Sequence, residues 1–299
     1  MERSLRRDAD PMSSSERVSV VVPTYNRAHL IQRSLESVLG QTHQDLEVLV
    51  VDDASTDDTE EVVRAFKDSR VHYLRHDSNR GPSASRNSGI RASRGRYVAF
   101  LDSDDEWVPE KLERQLSAFA SNPPHGLVYC GWSWVRSDGS VRVSRVPDQA
   151  SGLIDGCPRW FYNMVQDVVV LRDLAAGCLF DEAIWAYENL EWLLRLMTRA
   201  SSTYVGDVLV RCHEHTDYRA SDSRAKKLTG LEYILDTYES EMSGYPNVLF
   251  QIRLRAGALG LELGSRKARE HLSAAVRLRP LSARAWIRLL KTLGNGSSG

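Results

Sequence analysis

Long hydrophobic runs are missing from this chain. No stretch approaches the roughly eighteen consecutive apolar residues of a membrane-spanning helix. Cysteine is scarce. Cys130, Cys157, Cys178 and Cys212 stand far apart with no CxxC pair, which excludes a zinc ribbon or a disulfide framework. Such residues suit the small core positions of a reducing compartment, so a cytoplasmic location is expected. Charge of one sign is lacking too. A formal net charge of −1 gives no global attraction for nucleic acid or an anionic surface, so no nucleic-acid partner is expected and any basic surface is local. An apolar core is absent from Met1 to Arg17, which therefore read as a disordered tail, not a secretory signal. No internal repeat is evident.

What is present is alternation. Val18 to Val22 predicts a strand stopped by Pro23, and Asn26 is a candidate N-cap for a helix with Leu30, Ile31, Leu35, Val38 and Leu39 inside. Leu46 to Val51 predicts a second strand, and Asp57 or Asp58 caps a helix through Val62, Val63 and Phe66. Val71 to Leu74 is a shorter third strand; Asn79 to Ser83 open a helix reaching Ala92, and the apolar run from Tyr97 follows. Four strand–helix repeats predict an α/β fold with a parallel sheet and right-handed crossovers.

The ends of these strands carry the chemistry. After Tyr97–Leu101 the chain turns abruptly acidic, with Asp102, Asp104 and Asp105 within four positions. Two carboxylates at the carboxyl end of a parallel strand suit a hard divalent cation that keeps substrate phosphates in its shell. The simpler alternative is a solvated acidic turn before the helix that Pro109 begins. Pro23-Thr24-Tyr25-Asn26 and Asp52-Asp53 close the first and second strands, and a doubly wound sheet puts all three ends on one edge. A stacking ring at Tyr25, an accepting carboxylate at Asp53 and an acidic pair together describe a nucleotide-diphosphate site. Arg80 and Arg86 can add cationic contacts. Taken singly, Tyr25 reads equally as a core ring and each arginine as solvated.

Blocks Val20–Arg27, Ser37–Thr42, Val50–Asp57, Asn79–Gly81 with Ala84–Asn87, and Leu101–Asp105 follow in that order. Over about residues 18–120 the chain resembles the inverting family 2 glycosyltransferases. The resemblance implies a GT-A, Rossmann-like, mostly parallel sheet flanked by helices. It implies transfer of a sugar from a nucleotide-diphosphate-sugar to a hydroxyl of a glycan, lipid-linked or small-molecule acceptor, with Mn²⁺ or Mg²⁺. It places Pro23, Tyr25, Asp53, Arg80, Arg86, Asp102 and Ser103 at the donor, and Asp102 and Asp104 at the metal. A receiver-domain reading of Val48–Asp53 is set aside, because a complete strand–helix unit precedes its acidic pair.

The resemblance continues at Phe180-Asp181-Glu182 and at Glu188-Asn189-Leu190-Glu191-Trp192. An inverting transfer needs a base for the acceptor's proton. In the family that base is the second acid of a pair, and this chain has Asn189 there, an amide that does not accept protons. Three explanations stay open: Glu188 is the base; Glu191 is the base, although a helix turns it about 200° from Asn189; or the chain binds nucleotide-sugar without catalysis. Arg211-Cys212-His213-Glu214-His215 follows a strand from Tyr204 to Val210, and the family's histidine near here makes His213 a metal or diphosphate ligand, with His215 its nearest rival.

Gly126–Trp132 and Val168–Leu171 predict further strands, and Ser137-Asp138-Gly139-Ser140 a hairpin turn leading to Val141–Val143. Trp132, Trp134, Trp160, Phe161 and Tyr162 either line an acceptor surface or pack on the sheet. From Arg224 onward helical spacing dominates. Between 251 and 291, ten lysines and arginines face only Glu262 and Glu270. Such helices dock on anionic headgroups, contact a partner subunit, or keep their arginines solvated. The expected divisions are a tail over 1–17, a GT-A domain over 18–222 (donor half 18–120, acceptor half 121–222), a helical extension over 223–293 and a flexible end over 294–299.

Overall fold

A computed structural model of the protein describes residues 16–119, 125–144, 165–214 and 223–294. Cys157, Trp160, Phe161, Tyr162 and His215 lie outside these residues, as do 1–15 and 295–299. Strands β1 (Val18–Thr24), β2 (Leu46–Asp52), β3 (Val71–Arg75) and β4 (Tyr97–Phe100) pair in parallel in the order β3-β2-β1-β4. Helices α1 (Ile31–Leu39), α2 (Thr59–Ala65) and α3 (Pro82–Ala92) connect them. Val20, Val22, Val48, Val50, Val98 and Phe100 are fully buried, as continuous apolar strands of a covered parallel sheet must be.

Two sequence expectations are corrected. β1 runs through Pro23 to Thr24, because its ladder with β4 ends at Val21 and the missing proline N–H costs no bond on that side. Asn26 does not cap α1, which starts at Ile31. The residue adopts a left-handed φ of 53°, and its Oδ1 accepts from Thr56 N at 2.8 Å. Arg27 to Leu30 form a turn before the helix, closed by Leu30 N donating to Arg27 O at 2.9 Å.

Beyond β4 come β5 (Glu106–Trp107), α4 (Lys111–Phe119), β6 (Leu127–Val135), β7 (Val141–Ser144), β8 (Val168–Leu171), α5 (Arg172–Ala176), α6 (Glu188–Met197) and β9 (Ser202–His213). β8 lies antiparallel between β4 and β6, β9 runs parallel to β6, and β7 forms the expected hairpin with β6. The order is β3-β2-β1-β4-β8-β6-β9-β5. Trp132 is buried and Trp134 half-buried, both packed with the main core.

Helices α7 (Arg224–Tyr238), α8 (Pro246–Leu263), α9 (Ala268–Leu278) and α10 (Ala283–Gly294) complete the chain as expected. They are not a loose appendage. Leu231, Ile234, Leu235, Leu249 and Ile252 share one core with Ile184, Ala186, Tyr187, Leu190 and Leu194, the loop and first turns of α6. Among the described residues no helix is long and apolar enough to cross a membrane.

Candidate active site

The loop after β1 is fastened to the loop after β2. Asn26 N donates to Ser55 Oγ at 2.8 Å, Arg27 N to Thr59 Oγ1 at 3.0 Å, and Ala28 N to Asp57 Oδ2 at 3.1 Å. Beneath them Asp52 is wholly buried and accepts from Ser55 N at 2.7 Å and from the Tyr73 hydroxyl. These bonds leave Tyr25 at the rim, 43% exposed, where a ring is free to stack on a ligand. Pro23 is half-buried below it.

Asp53 is buried and saturated. Its Oδ1 accepts from Arg80 N at 2.9 Å and its Oδ2 from Gly81 N at 2.7 Å, while His76 Nδ1 lies 2.8 Å from Oδ1. The other His76 nitrogen sits 2.9 Å from Ser88 Oγ. This carboxylate therefore fastens the loop that opens α3, where an anion is favoured by the helix dipole. Gly81 holds a φ of 88° there, and a Cβ would lie 3.3 Å from the Trp185 ring. Two faults follow from any side chain: left-handed backbone and crowding.

Helix α3 also reaches across to the Phe180 segment. Asn87 Nδ2 donates to Phe180 O and to Glu182 Oε1, each at 2.9 Å, and Phe180 N donates back to Asn87 Oδ1 at 2.8 Å. Asn87 first, and Arg80 with it, holds the Glu182 carboxyl below its ordinary value. Arg80, half exposed, donates to Glu182 Oε2 at 3.1 Å.

The acidic loop after β4 folds into a cluster. Asp102, Asp104 and Asp105 each present a carboxylate oxygen within 4.8 Å of the others. Ser34 Oγ donates to Asp105 O at 2.7 Å and Arg33 to Asp104 O, so α1 holds the turn. Ser103 is buried within it. Asp105 is also engaged through its side chain, accepting from Gln166 Nε2 and, at 2.8 Å, from His213 N. His213 thus reaches the cluster through its backbone, while its ring Nε2 lies 3.3 Å from Glu106 Oε1. Burial first, then Arg33, pulls that imidazole below its ordinary value.

The link between the two constellations is Arg86, only 3% exposed. Its Nη2 donates to Asp102 Oδ1 at 3.0 Å and its Nη1 to Glu188 Oε1 at 3.2 Å. Burial opposes the guanidinium charge, but Asp102 and Glu188 outweigh it and hold the group above its ordinary value. Glu188 opens α6 directly after Tyr187, which has a left-handed φ of 68°. Asn189 is buried in the same turn. Glu191 is 1% exposed and paired with Arg195, whose Nη2 donates to Glu191 Oε2 at 2.8 Å. Its carboxylate belongs to a buried ion pair.

Whether this arrangement fits a divalent cation is decided by the donor set. Three carboxylate oxygens within 4.8 Å of one another are close enough to share one ion, and are hard donors of the kind Mg²⁺ and Mn²⁺ take. Asp105 is committed to Gln166 and His213 N, so of the three Asp104 and Asp102 are the ones that could hold a cation. Sequence reasoning missed Asp105 as an organiser, although it stands in the same acidic run. It also missed His76, whose signal is its place just past the end of β3, the third parallel strand.

A second titratable cluster lies behind the acidic loop. Lys111 is fully buried, with its Nζ 3.9 Å from the Trp107 ring centroid. Burial pushes its ammonium down to about 8 and pushes the buried Asp167 carboxyl up to about 7. Gln115 Nε2 donates to Asp167 O at 2.8 Å.

Parallel strand ends carrying an exposed ring, an anchored aspartate and an acidic cluster, with a mixed sheet beyond them, define the GT-A fold. Two solved structures share it. They are Staphylococcus aureus TarS residues 1–349 in complex with UDP-GlcNAc (TM-score 0.66, 20% identity, 92% of this chain and 88% of that one) and the mannosyltransferase PcManGT of Pyrobaculum calidifontis with GDP-Man and Mn²⁺ (TM-score 0.59, 20% identity, 93% and 79%). Residues 19–156 match the family described as Glycosyl transferase family 2. The chain is 39% identical over 125 residues to the putative teichuronic acid biosynthesis glycosyltransferase TuaG of Bacillus subtilis, covering 41% of this chain and 49% of TuaG. It is 44% identical over 105 residues to the UDP-Glc:alpha-D-GlcNAc-diphosphoundecaprenol beta-1,3-glucosyltransferase WfgD of Escherichia coli, covering 35% of this chain and 42% of WfgD. In both cases the matched segment spans less than half of the relative's own length.

Proposed function

We propose that the protein is an inverting hexosyltransferase that moves a sugar from a nucleotide-diphosphate-sugar, UDP-linked in the first instance, to an acceptor hydroxyl. The observation that carries this is the Arg86 bridge, which brings the acidic cluster and the head of α6 to one guanidinium. A donor diphosphate and an acceptor must meet at such a junction. Residues 18–120 serve the donor, 121–222 the acceptor, and 223–293 support α6.

Tyr25 stacks on the base, and Asp53 keeps the Arg80–Gly81 loop in the shape that receives the nucleotide. Asp104, with Asp102, holds Mn²⁺ or Mg²⁺, and His213 stands beside them as a further contact for the diphosphate. When bound, the cation supplies Lewis-acid stabilisation of the charge gathering on the leaving diphosphate. Glu188 takes the proton of the attacking hydroxyl; Arg86 holds its carboxylate beside Asp102. Glu188 and Glu191 are each paired with an arginine, but Glu188 is half-buried whereas Glu191 is sealed from solvent, which favours Glu188. The name of the Escherichia coli relative supports a lipid-linked diphosphate sugar as acceptor, which would bring the chain to a membrane surface.

The test is nucleoside diphosphate release with Mn²⁺ from UDP-, GDP- and dTDP-sugars, on the wild type, Glu188→Gln and Asn189→Asp. Turnover in the wild type and a loss of roughly 10²–10⁴-fold in Glu188→Gln, with donor affinity kept, is the expected result. Full activity in Glu188→Gln would move the base elsewhere. A wild type that binds a donor yet turns over none, while Asn189→Asp gains activity, would make the chain a binder.

A further inference from the structure

Helix α10 has two apolar faces. Ala285 is fully buried and Leu289 packs beside it, against Phe250, Leu254, Leu272 and Ala275 of α8 and α9. At about 100° per residue, Trp286, Leu290, Ala283 and Ile287 form a second stripe on the outward side. Trp286 is 44% exposed and Ile287 and Leu290 are each 57% exposed, with Leu281 at 99% just before the helix. Globular helices ordinarily put charge on that side.

The charges lie beside the stripe. Arg284, Lys291 and Arg288 follow it around the helix, and Arg284 and Lys291 are exposed. From Gly264 to Gly294 eight lysines and arginines face one acid, Glu270, on a chain whose formal net charge is −1. An outward band of tryptophan and aliphatic side chains flanked by bases matches an anionic bilayer, whose headgroups meet the arginines while the apolar side chains enter the acyl boundary. A second copy of the same surface is a poorer occupant, since it would set base against base. The Trp286 indole is already held, its Nε1 donating to Pro280 O at 2.7 Å, so the ring is presented in a fixed orientation.

We infer that the outward face of α10, with Leu281, is a peripheral docking surface for anionic phospholipid. This goes beyond the transfer reaction and does not depend on it, since vesicle binding is read without donor or acceptor. It puts the chain on the surface where a lipid-linked substrate is found.

The experiment is flotation of the full chain with vesicles of phosphatidylcholine alone and of equal parts phosphatidylcholine and phosphatidylglycerol. The wild type floats with the mixed vesicles, stays behind with phosphatidylcholine, and is released by high salt. The triple change Trp286→Ser, Ile287→Ser, Leu290→Ser abolishes flotation. The pair Arg284→Glu, Lys291→Glu weakens it by at least about thirty-fold. All five positions are exposed or nearly so, and thermal melts matching the wild type show that the variants fold. Failure of the wild type to bind mixed vesicles, or binding by the triple variant equal to the wild type, overturns the inference. So does a wild-type dimer that the triple variant splits without any vesicle binding, because the stripe is then a contact between copies.

Discussion

Arg86 is buried, and a buried guanidinium stays only where carboxylates meet it. Its two partners come from segments far apart in the chain, Asp102 after β4 and Glu188 at the start of α6. Both the arginine and the glutamate stand out in the sequence as site residues, but each by itself. Their meaning lies in sharing one side chain, and no local pattern records that. Asp167 and Lys111 teach the same lesson with a measurable consequence. Burial raises the Asp167 carboxyl from 3.8 to about 7. The folded state therefore holds a proton there that the unfolded chain gives up, so the stability it contributes is complete below about pH 4 and lost as the pH climbs through 7. Urea unfolding at pH 5 and pH 7.5 should show the wild type less stable at the higher pH. The Asp167→Asn protein, with nothing to titrate at that position, should lose most of that difference. An unchanged pH dependence in the variant would place the titrating group elsewhere.

At the scale of elements, strands were the readable part. Val18–Val22, Leu46–Val51, Val71–Leu74 and the run from Tyr97 announce themselves because a buried strand needs only its own apolar residues. Each falls within a residue or two of β1 to β4. The acids at their ends were legible for the same reason, being polar groups placed where apolar runs stop. Less legible was what holds those ends: Asn26 spent on Thr56, Asp53 on the Arg80–Gly81 loop, and Asn87 on Phe180. Such bonds join loops distant in sequence, and periodicity is silent about them. The helices from Arg224 onward were visible, but not that they share a core with Ala186, Tyr187 and Leu190. Gly230 marks that junction, because a Cβ there would sit 2.1 Å from Ala186 O. Gly230→Val should force α7 away and loosen the turn that carries Glu188. The expected outcome is a fall in turnover of at least about tenfold together with lower stability, since misplacing a reacting group by about 1 Å can cost on the order of a hundredfold in rate. Steady-state kinetics with donor KM near the wild-type value would agree; unaltered turnover would show that α7 does not position α6.

For the whole molecule, ligand binding and stability are one equilibrium. A UDP-sugar with Mn²⁺ at a hundredfold excess over its dissociation constant should stabilise the folded chain by about 2.7 kcal/mol, a rise in Tm on the order of 5 °C for a protein of this size. Chelation should remove the part that the cation contributes, and Asp104→Asn should show none of that part at any Mn²⁺ concentration. A rise of equal size with nucleotide alone, in both proteins, would deny Asp104 its role at the metal.

The shared core of α6 with α7 and α8 also sets an order of events during synthesis. Glu188 leaves the ribosome before Leu231, Ile234, Leu249 and Ile252 exist, yet these residues pack the turn on which it stands. Strands β1 to β4 can pair while translation continues; the head of α6 cannot be seated until α8 has emerged. A nascent chain would thus carry its parallel strands before it carried a seated Glu188.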